Sequence, residues 1–264
     1  MVPLDTFYRD HWVEVAEERH EVYEQVFAWS PELEPLIAPA GFGPDQVVVD
    51  YGCGPGQMCV ELAKRVGPGG HVHAMDINEK FVRRTRERAQ AEGLTDRITV
   101  HHMSDDRLPF EDGSIDRILC KNVLKYVDDP LASIQDCHRV LAPGGRLHVT
   151  DNDWGFYVFE PLSQARTAAL ISAASHAYKS PLLGRKLYGL CQTAGYSTID
   201  LGILPTIDTD GQFAGVIRNI ASYARAGGSL PEAEIDAVMA EVDAAIADGS
   251  YLFILPQFMV TATV

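Results

Sequence analysis

Apolar residues recur along this chain with two alternating periods. Residues 47–49 are three consecutive valines, a β-branched run typical of a strand buried on both faces of a parallel sheet. The next segment instead repeats its apolar positions at helical spacing, at Met58, Leu62, Ala63 and Val66. Further strand-like runs read HVHAM, RITVHH, IDRILC and RLHVT. Helical segments lie between most of them, including one that Asn78 can cap and that Gly93 ends.

Strands and helices that alternate this regularly form crossover units of a parallel sheet. The predicted fold class is therefore α/β, with a doubly wound, Rossmann-like sheet. Beyond Asp151 the pattern becomes mainly helical, with helices predicted at residues 162–178, 182–194, 211–226 and 231–248. A predicted strand at 197–204 interrupts them, and the apolar stretch 251–264 indicates a closing strand.

The segment before the first strand predicts an amphipathic helix from apolar and polar positions at helical spacing. These positions are Trp12, Val15, Ala16, Arg19, Val22, Tyr23, Val26 and Phe27. Prolines break the helix before the sheet begins, at Pro31, Pro35, Pro39 and Pro44. We therefore divide the chain into an N-terminal helical segment, 1–45, that covers the ligand site and a sheet domain, 46–264. Elements at about 152–182 and 206–250 are predicted to cap the sheet.

Composition narrows the possible classes of function. The chain has 264 residues, of which 46% are hydrophobic, enough for a sizeable core. A net charge of -15 disfavours nucleic acid as a partner, because an acidic surface repels phosphate. The basic run at 83–88 indicates a solvated helix face. Five scattered cysteines, no apolar signal core and no membrane-length apolar stretch predict a soluble, cytoplasmic protein of undetermined oligomeric state.

The first strand runs into a glycine-rich turn, within VVVDYGCGPGQ. A turn that only connects a strand to a helix needs at most one glycine, yet Gly52, Gly54 and Gly56 fall within five positions. Such a loop is expected to leave its own amides and those of the helix N-terminus bare for a ligand. It lies at the carboxyl end of a strand, where doubly wound sheets bind their ligands.

Two acids narrow the chemistry of that ligand. Asp50 precedes the loop and would repel a pyrophosphate, whereas an ammonium or a sulfonium would be favoured. The spacing also differs from the G-x-G-x-x-G of dinucleotide sites, and no Gly-Lys-Ser/Thr follows. Asp76, in HAMDIN, suits two ribose hydroxyls, although helix capping is a competing role. The expected ligand therefore has a ribose and a cationic portion but no pyrophosphate. S-adenosyl-L-methionine has these features.

Four segments carry a family resemblance: VVVDYGCGPGQ, HAMDIN, LPFEDGSIDRILCKNVLKYVDDP and HRVLAPGGRLHVTD. In this order and spacing the chain resembles the class I S-adenosylmethionine-dependent methyltransferases. Within them it is similar to the small-molecule group that includes quinone and natural-product methyltransferases. The resemblance is strong over residues 46–151 and weaker beyond. It implies a seven-stranded sheet with the last strand antiparallel, and S-adenosyl-L-homocysteine as the product.

The resemblance also implies roles for residues at the strand ends. The methionine part of the cofactor would be held by Asp50, Gly52, Gly54, Gly56 and Gln57. Asp76 would bind the ribose and Ile77 would pack on the adenine. Either Ser104 or Asp105 would contact the adenine amine, since a serine stands where the family usually has the acid. Lys121 and Asn122 would lie beneath the sulfonium.

The acceptor is expected between the segment after the fifth strand and the later helical insertion. Tyr126, Trp154 and Tyr157 would line this space, because aromatic walls suit a flat or apolar acceptor. A general base is needed only if the acceptor must lose a proton. His176 is the first candidate, although a packing role competes, and Asp153 is the second.

The predicted function is methyl transfer from S-adenosyl-L-methionine to a small, apolar or aromatic acceptor at oxygen, nitrogen or carbon. No metal is expected, since His71 and His73 share a strand face without a third ligand at suitable spacing. Two other classes stay open. One is an enzyme that uses the same cofactor for a different reaction, such as cyclisation, and the other is a non-catalytic binding protein. The acceptor, the methylated atom and the use of a base are not fixed by the residues.

Overall fold

A seven-stranded sheet forms the centre of the protein in the computed structural model, which describes residues 4–15, 19–20, 23–24 and 27–264. The strands in chain order are β1 (Val47–Tyr51), β2 (His71–Asp76), β3 (Ile98–His102), β4 (Ile115–Lys121), β5 (Leu141–Asn152), β6 (Val158–Glu160), β7 (Thr198–Leu204), β8 (Ile207–Asp208), β9 (Leu252–Ile254) and β10 (Gln257–Thr263). The large sheet has the order β3-β2-β1-β4-β5-β10-β7.

Strand direction in this sheet confirms the predicted fold. The pairs β1–β2, β1–β4, β2–β3 and β4–β5 are parallel, whereas β10 runs antiparallel to both β5 and β7. The order of the strands reverses between β1 and β4. In an open sheet of this kind the crevice at such a switch point is where ligands bind.

Helices cover both faces of the sheet and account for its buried apolar strands. Their bounds are α1 (Phe7–Val13), α2 (Glu34–Ile37), α3 (Gln57–Val66), α4 (Glu79–Ala91), α5 (Pro130–Val140), α6 (Gln164–Ala173), α7 (Leu187–Ala194), α8 (Ala214–Gly227) and α9 (Glu232–Asp248). Val48 packs with the buried face of α3, and Val49 packs with that of α5. None of the helices in the described part of the chain is long and apolar enough to cross a membrane.

The C-terminal half differs in detail from its prediction. Strands β6, β9 and β8 form a second sheet of three strands, which was not expected. Pro256 separates β9 from β10, so the apolar stretch 251–264 contributes to both sheets. The helix predicted at 162–178 ends at Ala173 and is followed by a 3-10 turn, Ser175–Ala177.

The N-terminal helix was predicted to begin near Trp12, and the structure has α1 over Phe7–Val13. Three of the predicted helical positions, Ala16, Val22 and Val26, lie outside the described residues. The rings of α1 pack on the C-terminal half, since Phe7 lies 5.8 Å from Tyr223 of α8 between ring centroids. Helix α1 therefore packs against the C-terminal half of the chain.

Candidate functional site

A cavity of about 370 Å³ lies at the carboxyl edge of β1, β2 and β4. One part of its lining holds the glycine loop and the acids Asp50 and Asp76. Another part consists mainly of aromatic side chains from the N-terminal segment and the C-terminal half. The volume lies within the range of small-molecule sites.

Asp50 is the most deeply buried acid of the glycine-loop region, with 3% of its surface exposed. Its Oδ2 accepts a hydrogen bond from the Cys59 thiol at 3.0 Å, and within the described chain its Oδ1 accepts none. Burial raises the pKa of Asp50 to about 6, and the nearby Lys121 partly opposes this rise. A buried carboxylate with an open oxygen at a cavity wall is suited to a cationic ligand group.

Asp76 links the glycine loop to the end of β2. Its Oδ2 accepts the Gly54 amide at 2.8 Å and its Oδ1 accepts the Asn78 amide at 2.8 Å. The capping role belongs to Asn78, whose Oδ1 accepts the Phe81 amide of α4. Each oxygen of Asp76 thus keeps a lone pair for a ligand hydroxyl. Burial raises the pKa of Asp76 to about 6.

The amides of the glycine loop are not bare, which corrects the expectation from sequence. The Gly52 and Cys53 amides both donate to the Met75 carbonyl, at 2.8 and 2.9 Å. The Gly54 amide donates to Asp76, and the Gly56 amide donates to the Cys53 carbonyl at 3.1 Å. The loop is held against the end of β2, so its contribution to the site is shape rather than free donors.

Positive φ angles and close packing explain two of the glycines. Gly52 has a φ of 81°, and a Cβ there would lie 2.2 Å from a methyl group of Val123. Gly56 has a φ of 82°, and its Cβ would lie 2.6 Å from Thr85 of α4. Gly52 and Gly54 line the cavity, whereas Gly56 does not. The role of Gly56 is therefore the packing of α3 on α4 and not the ligand contact that was expected.

Gln57 lines the cavity, but its amide holds the N-terminal segment. Its Nε2 donates to the Glu24 carbonyl at 2.7 Å, and its Oε1 accepts the Trp29 amide at 3.1 Å. The Glu24 carboxylate also binds Arg84 and Arg88 of α4, at 2.8 and 2.5 Å. The basic run at 83–88 is therefore not only a solvated face, since two of its members anchor this segment.

Lys121 and Asn122 both line the cavity, at the end of β4. No hydrogen bond or ion pair joins the Lys121 ammonium to a described residue, and it lies 5.3 Å from the ring centre of Phe27. Burial lowers the pKa of Lys121. Asn122 has a φ of 60°, a left-handed conformation that asparagine tolerates, and this turns the chain out of the strand.

The loop after β3 departs from its prediction. Ser104 and Asp105 are exposed and do not line the cavity, because the chain turns outward at these positions. Met103 and Asp106 line it instead, together with the expected Ile77. Asp106 is half-buried, and burial raises its pKa. Sequence alone did not single out Asp106, because it stands beyond the position where the acid was expected.

Aromatic side chains line much of the cavity, and we call the part that they surround the aromatic chamber. Its members are Trp12, Tyr126, Trp154, Tyr178, Phe213, Tyr223 and Phe253. Ring centroids of Trp12 and Tyr126 lie 5.2 Å apart, and those of Trp154 and Tyr178 lie 5.5 Å apart. Tyr126 and Trp154 thus line the cavity, whereas Tyr157 does not.

The two candidate bases lie outside the cavity lining. The Asp153 carboxylate is bound by Arg185, whose Nε and Nη2 donate at 2.6 and 2.7 Å, and the pKa of Asp153 is lowered because these bonds outweigh its burial. His176 contacts Phe7 of α1, and burial lowers its pKa. The structure therefore gives Asp153 an ion pair and His176 a packing contact.

A buried ion pair at the cavity was not found from sequence. Lys125 Nζ lies 2.8 Å from Asp151 Oδ1 and donates to the Oδ1 atoms of Asn122 and Asn152 at 3.2 and 3.3 Å. The three N–H groups of the ammonium therefore have three acceptors. Among the residues that the structure describes, no three His, Cys, Asp or Glu side chains converge as metal ligands.

Comparison with known proteins decides the family. A family model described as a methyltransferase domain matches residues 43–199. The chain belongs to this methyltransferase family. The matched residues include β1 to β5 and thus the glycine loop, Asp50, Asp76 and Lys121.

Individual relatives agree with this family. An uncharacterized 37.1 kDa protein in transposon TN4556 of Streptomyces fradiae is 32% identical over 189 residues, covering 70% of this chain and 54% of that protein. The ubiquinone/menaquinone biosynthesis C-methyltransferase UbiE of Vibrio vulnificus is 33% identical over 129 residues, covering 49% of each chain. This methyltransferase-family chain thus spans about half the length of the curated relatives that it matches.

Among solved structures, phosphoethanolamine N-methyltransferase 2 of Haemonchus contortus, in complex with S-adenosyl-L-methionine, aligns with a TM-score of 0.65. The alignment covers 97% of this chain and 59% of that one, at 17% identity. At this identity the similarity concerns the fold alone. It extends over the sheet and over the C-terminal elements beyond the matched domain.

Proposed function

We propose that this methyltransferase-family protein transfers a methyl group from S-adenosyl-L-methionine to a small, apolar or aromatic acceptor and releases S-adenosyl-L-homocysteine. The observation that carries the proposal is the shared cavity. The buried carboxylates of Asp50 and Asp76 open into the same space as the aromatic chamber. A polar nucleoside and an apolar acceptor can therefore lie side by side.

The residues present fit this cofactor. Among the residues that the structure describes, none donates to Oδ1 of Asp50 and none pairs with the Lys121 ammonium. The two groups could therefore bind the ammonium and the carboxylate of the zwitterionic amino-acid end. Asp76 keeps acceptor capacity for two ribose hydroxyls. Ile77 and Met103 offer apolar surface to the adenine. Bound there, the cofactor would supply an activated methyl group on a positively charged sulfur.

The contribution of the chain to the reaction is alignment and exclusion of water. The rings of the aromatic chamber line the space next to the cofactor residues and present apolar surface there. Lys125 and Asp151 fix Asn122 and Asn152 at the boundary between the two parts of the cavity. Asp153 and His176 have no part in the proposal, since neither lines the cavity.

We also propose that residues 1–45 and the elements at 152–182 and 206–250 cover the site. The contacts between Arg19 and α8 support this, because its guanidinium donates to Asn219 Oδ1 at 3.0 Å and to the Tyr223 hydroxyl at 2.9 Å. Both partners line the cavity. Action on a small molecule rather than nucleic acid, in the cytoplasm, stays a prediction from charge and cysteine usage.

The test is an isotope assay on the purified chain with S-adenosyl-L-methionine labelled in the methyl group. It is incubated with a panel of phenols, quinols and aromatic amines, and label is followed into extracted product. We expect label in at least one apolar product and S-adenosyl-L-homocysteine in equal amount. Calorimetry with S-adenosyl-L-homocysteine accompanies the assay. No binding of that nucleoside would contradict the proposal, and tight binding without turnover on any acceptor would favour a non-catalytic binding protein.

A further inference from the structure

Uncharged aromatic surface dominates the part of the cavity beyond the cofactor residues. Tyr126 and Tyr178 lie side by side with ring centroids 5.6 Å apart, and Tyr178 meets Tyr223 edge-on at 6.3 Å. Trp12 and Trp154 continue this wall through their contacts with Tyr126 and Tyr178. Flat walls of this kind favour a planar aromatic ligand, because rings stack and pack edge to face.

The charges that border this space are compensated. Lys125 is the ammonium nearest the chamber, and it is paired with Asp151 at 2.8 Å with its remaining N–H groups on Asn122 and Asn152. Arg9 and Asp106 also line the cavity, and they carry opposite charges that attract each other. A charged ligand would therefore lose hydration without gaining a free partner in the chamber.

Three polar atoms at the chamber are buried without a hydrogen-bond partner among the described residues. They are the indole N–H groups of Trp12 and Trp154 and the Oε1 atom of Gln257. Trp154 is 5% exposed, and both Trp154 and Gln257 line the cavity. Buried polar groups are nearly always hydrogen-bonded, so a residue of the cavity lining with an unpartnered polar atom is a place where a bound ligand can supply the missing partner.

Trp154 and Gln257 lie in the same region of the sheet edge. Gln257 is directly opposite Asn152 in the β5–β10 pairing, and Trp154 follows Asn152 by two residues. One is an unpaired donor and the other is an unpaired acceptor. A hydroxyl group satisfies both, since it accepts from an indole N–H and donates to an amide oxygen.

We infer that the acceptor is an uncharged, planar aromatic molecule bearing a hydroxyl group, which Trp154 and Gln257 bind. That this molecule is the methyl acceptor rests on the proposed function. Its binding at Trp154 and Gln257 does not require turnover. It distinguishes this site from one built for a carboxylate or an ammonium, either of which would need a free counter-charge in the chamber.

The test uses the full chain and three matched probes, 2-naphthol, naphthalene and 2-naphthoate. Binding is measured by equilibrium dialysis with and without saturating S-adenosyl-L-homocysteine. We expect 2-naphthol to bind about tenfold more tightly than naphthalene, a ratio equivalent to one well-formed hydrogen-bond pair in a buried site. 2-Naphthoate should bind more weakly than 2-naphthol. Equal affinity for 2-naphthol and naphthalene, preference for 2-naphthoate, or no binding of any probe would each overturn the inference.

Substitutions of Trp154 and Gln257 test whether these two residues bind the hydroxyl group. Trp154→Phe keeps an aromatic side chain but is smaller and lacks the N–H, so it should weaken the binding of 2-naphthol about five- to tenfold more than the binding of naphthalene. Gln257→Leu should act in the same direction. Trp29→Phe and Gln192→Leu are the matched controls, because neither residue lines the cavity. Circular dichroism melting checks that each variant is folded. Equal losses for 2-naphthol and naphthalene in Trp154→Phe would contradict the assignment even if S-adenosyl-L-homocysteine still binds.

Discussion

Lys125 Nζ lies 2.8 Å from Asp151 Oδ1, and the two side chains are 5% and 0% exposed. The pair joins the turn after β4 to the end of β5, directly beside the cavity. Each charge depends on the other, because neither has access to bulk water.

Removal of one partner of this pair should be costly. Lys125→Met leaves Asp151 buried without an ammonium, and we expect the free energy of unfolding to fall by about 3–5 kcal/mol in urea denaturation. Adding Asp151→Asn should recover part of the loss, because it removes the unpaired buried charge and its amide oxygen still accepts one of the two backbone amides that Asp151 accepts. Lys64→Met, which breaks the exposed pair with Glu92, is the control and should cost less than about 1 kcal/mol. A similar small cost for Lys125→Met would show that the pair is not buried as described.

Binding of S-adenosyl-L-homocysteine should weaken as the pH falls below about 6. The pKa values of Asp50 and Asp76 are raised to about 6 by burial, so both acids take up protons there in the free protein. A cationic ligand favours the ionised form and must displace the proton from Asp50. Calorimetry from pH 5 to pH 8 measures the effect. Asp50→Asn should lower affinity by about tenfold at pH 7.5 and flatten the profile, whereas Asp105→Asn should change neither.

Lys121→Met should weaken the binding of one nucleoside and leave the binding of another nearly unchanged. We expect S-adenosyl-L-homocysteine to bind about tenfold more weakly, because its carboxylate loses the Lys121 ammonium, which has no partner in the described part of the chain. The affinity for 5′-methylthioadenosine, which has no amino-acid end, should stay within about twofold. Lys186→Met, outside the cavity, is the control. Equal weakening of both nucleosides would mean that Lys121 acts on the shape of the site and not on the carboxylate.

Gly52→Ala should be far more damaging than Gly249→Ala. Both glycines have positive φ, 81° and 79°, so both variants carry the strain of an alanine at positive φ, about 1 kcal/mol. Of the two, only Gly52 has a neighbour in the way, since a Cβ there would lie 2.2 Å from Val123 while Gly249 has nothing within 4 Å. Thermal melting should show the larger loss of stability for Gly52→Ala, and calorimetry with S-adenosyl-L-homocysteine should show lost affinity for Gly52→Ala alone. Comparable results for the two variants would contradict the close packing of the loop.

His73 should make the protein less stable in mild acid. Burial lowers its pKa from 6.5 to about 4, so the unfolded chain binds a proton in this range that the folded chain does not. Stability from His73 is therefore present above pH 6.5 and lost as the pH falls towards 4. Relative to His73→Gln, the wild type should lose about 1–2 kcal/mol over this range in urea denaturation, allowing for partial exposure. The exposed His102→Gln should follow the wild type, and a parallel profile for His73→Gln would count against the assignment.

Local patterns predicted local features well. Asn78 was expected to cap α4, and its Oδ1 accepts the amide only three residues further on. The helix Pro130–Val140 begins at a proline and repeats its apolar residues at helical spacing, and both features are visible within the segment itself. The doubly wound parallel sheet followed in the same way from alternating strands and helices, and the resemblance implied its seven strands and the antiparallel last one.

The predictions that differed from the structure concern side chains and amides whose partners lie far away in the chain. Asp153 was predicted as a candidate base. In the structure its carboxylate binds Arg185, which lies 32 residues further on. The loop amides were expected to be bare, but the Met75 carbonyl accepts two of them from the neighbouring strand. Gln57 was expected at the ligand, and its amide instead holds Glu24. In each case the partner comes from a segment whose approach no local pattern encodes.

The sequence by itself determined the sheet, the position of the glycine loop and the edge at which Asp50 and Asp76 meet. These follow from periodicity and from the fact that parallel strands present their carboxyl ends on one edge. Only the tertiary structure decided the aromatic chamber, the pairing of Lys125 with Asp151 and the unpaired atoms of Trp154 and Gln257. Such contacts join side chains as far apart in the chain as Trp12 and Tyr126, and close packing selects them through the shape of the whole molecule rather than through any single segment.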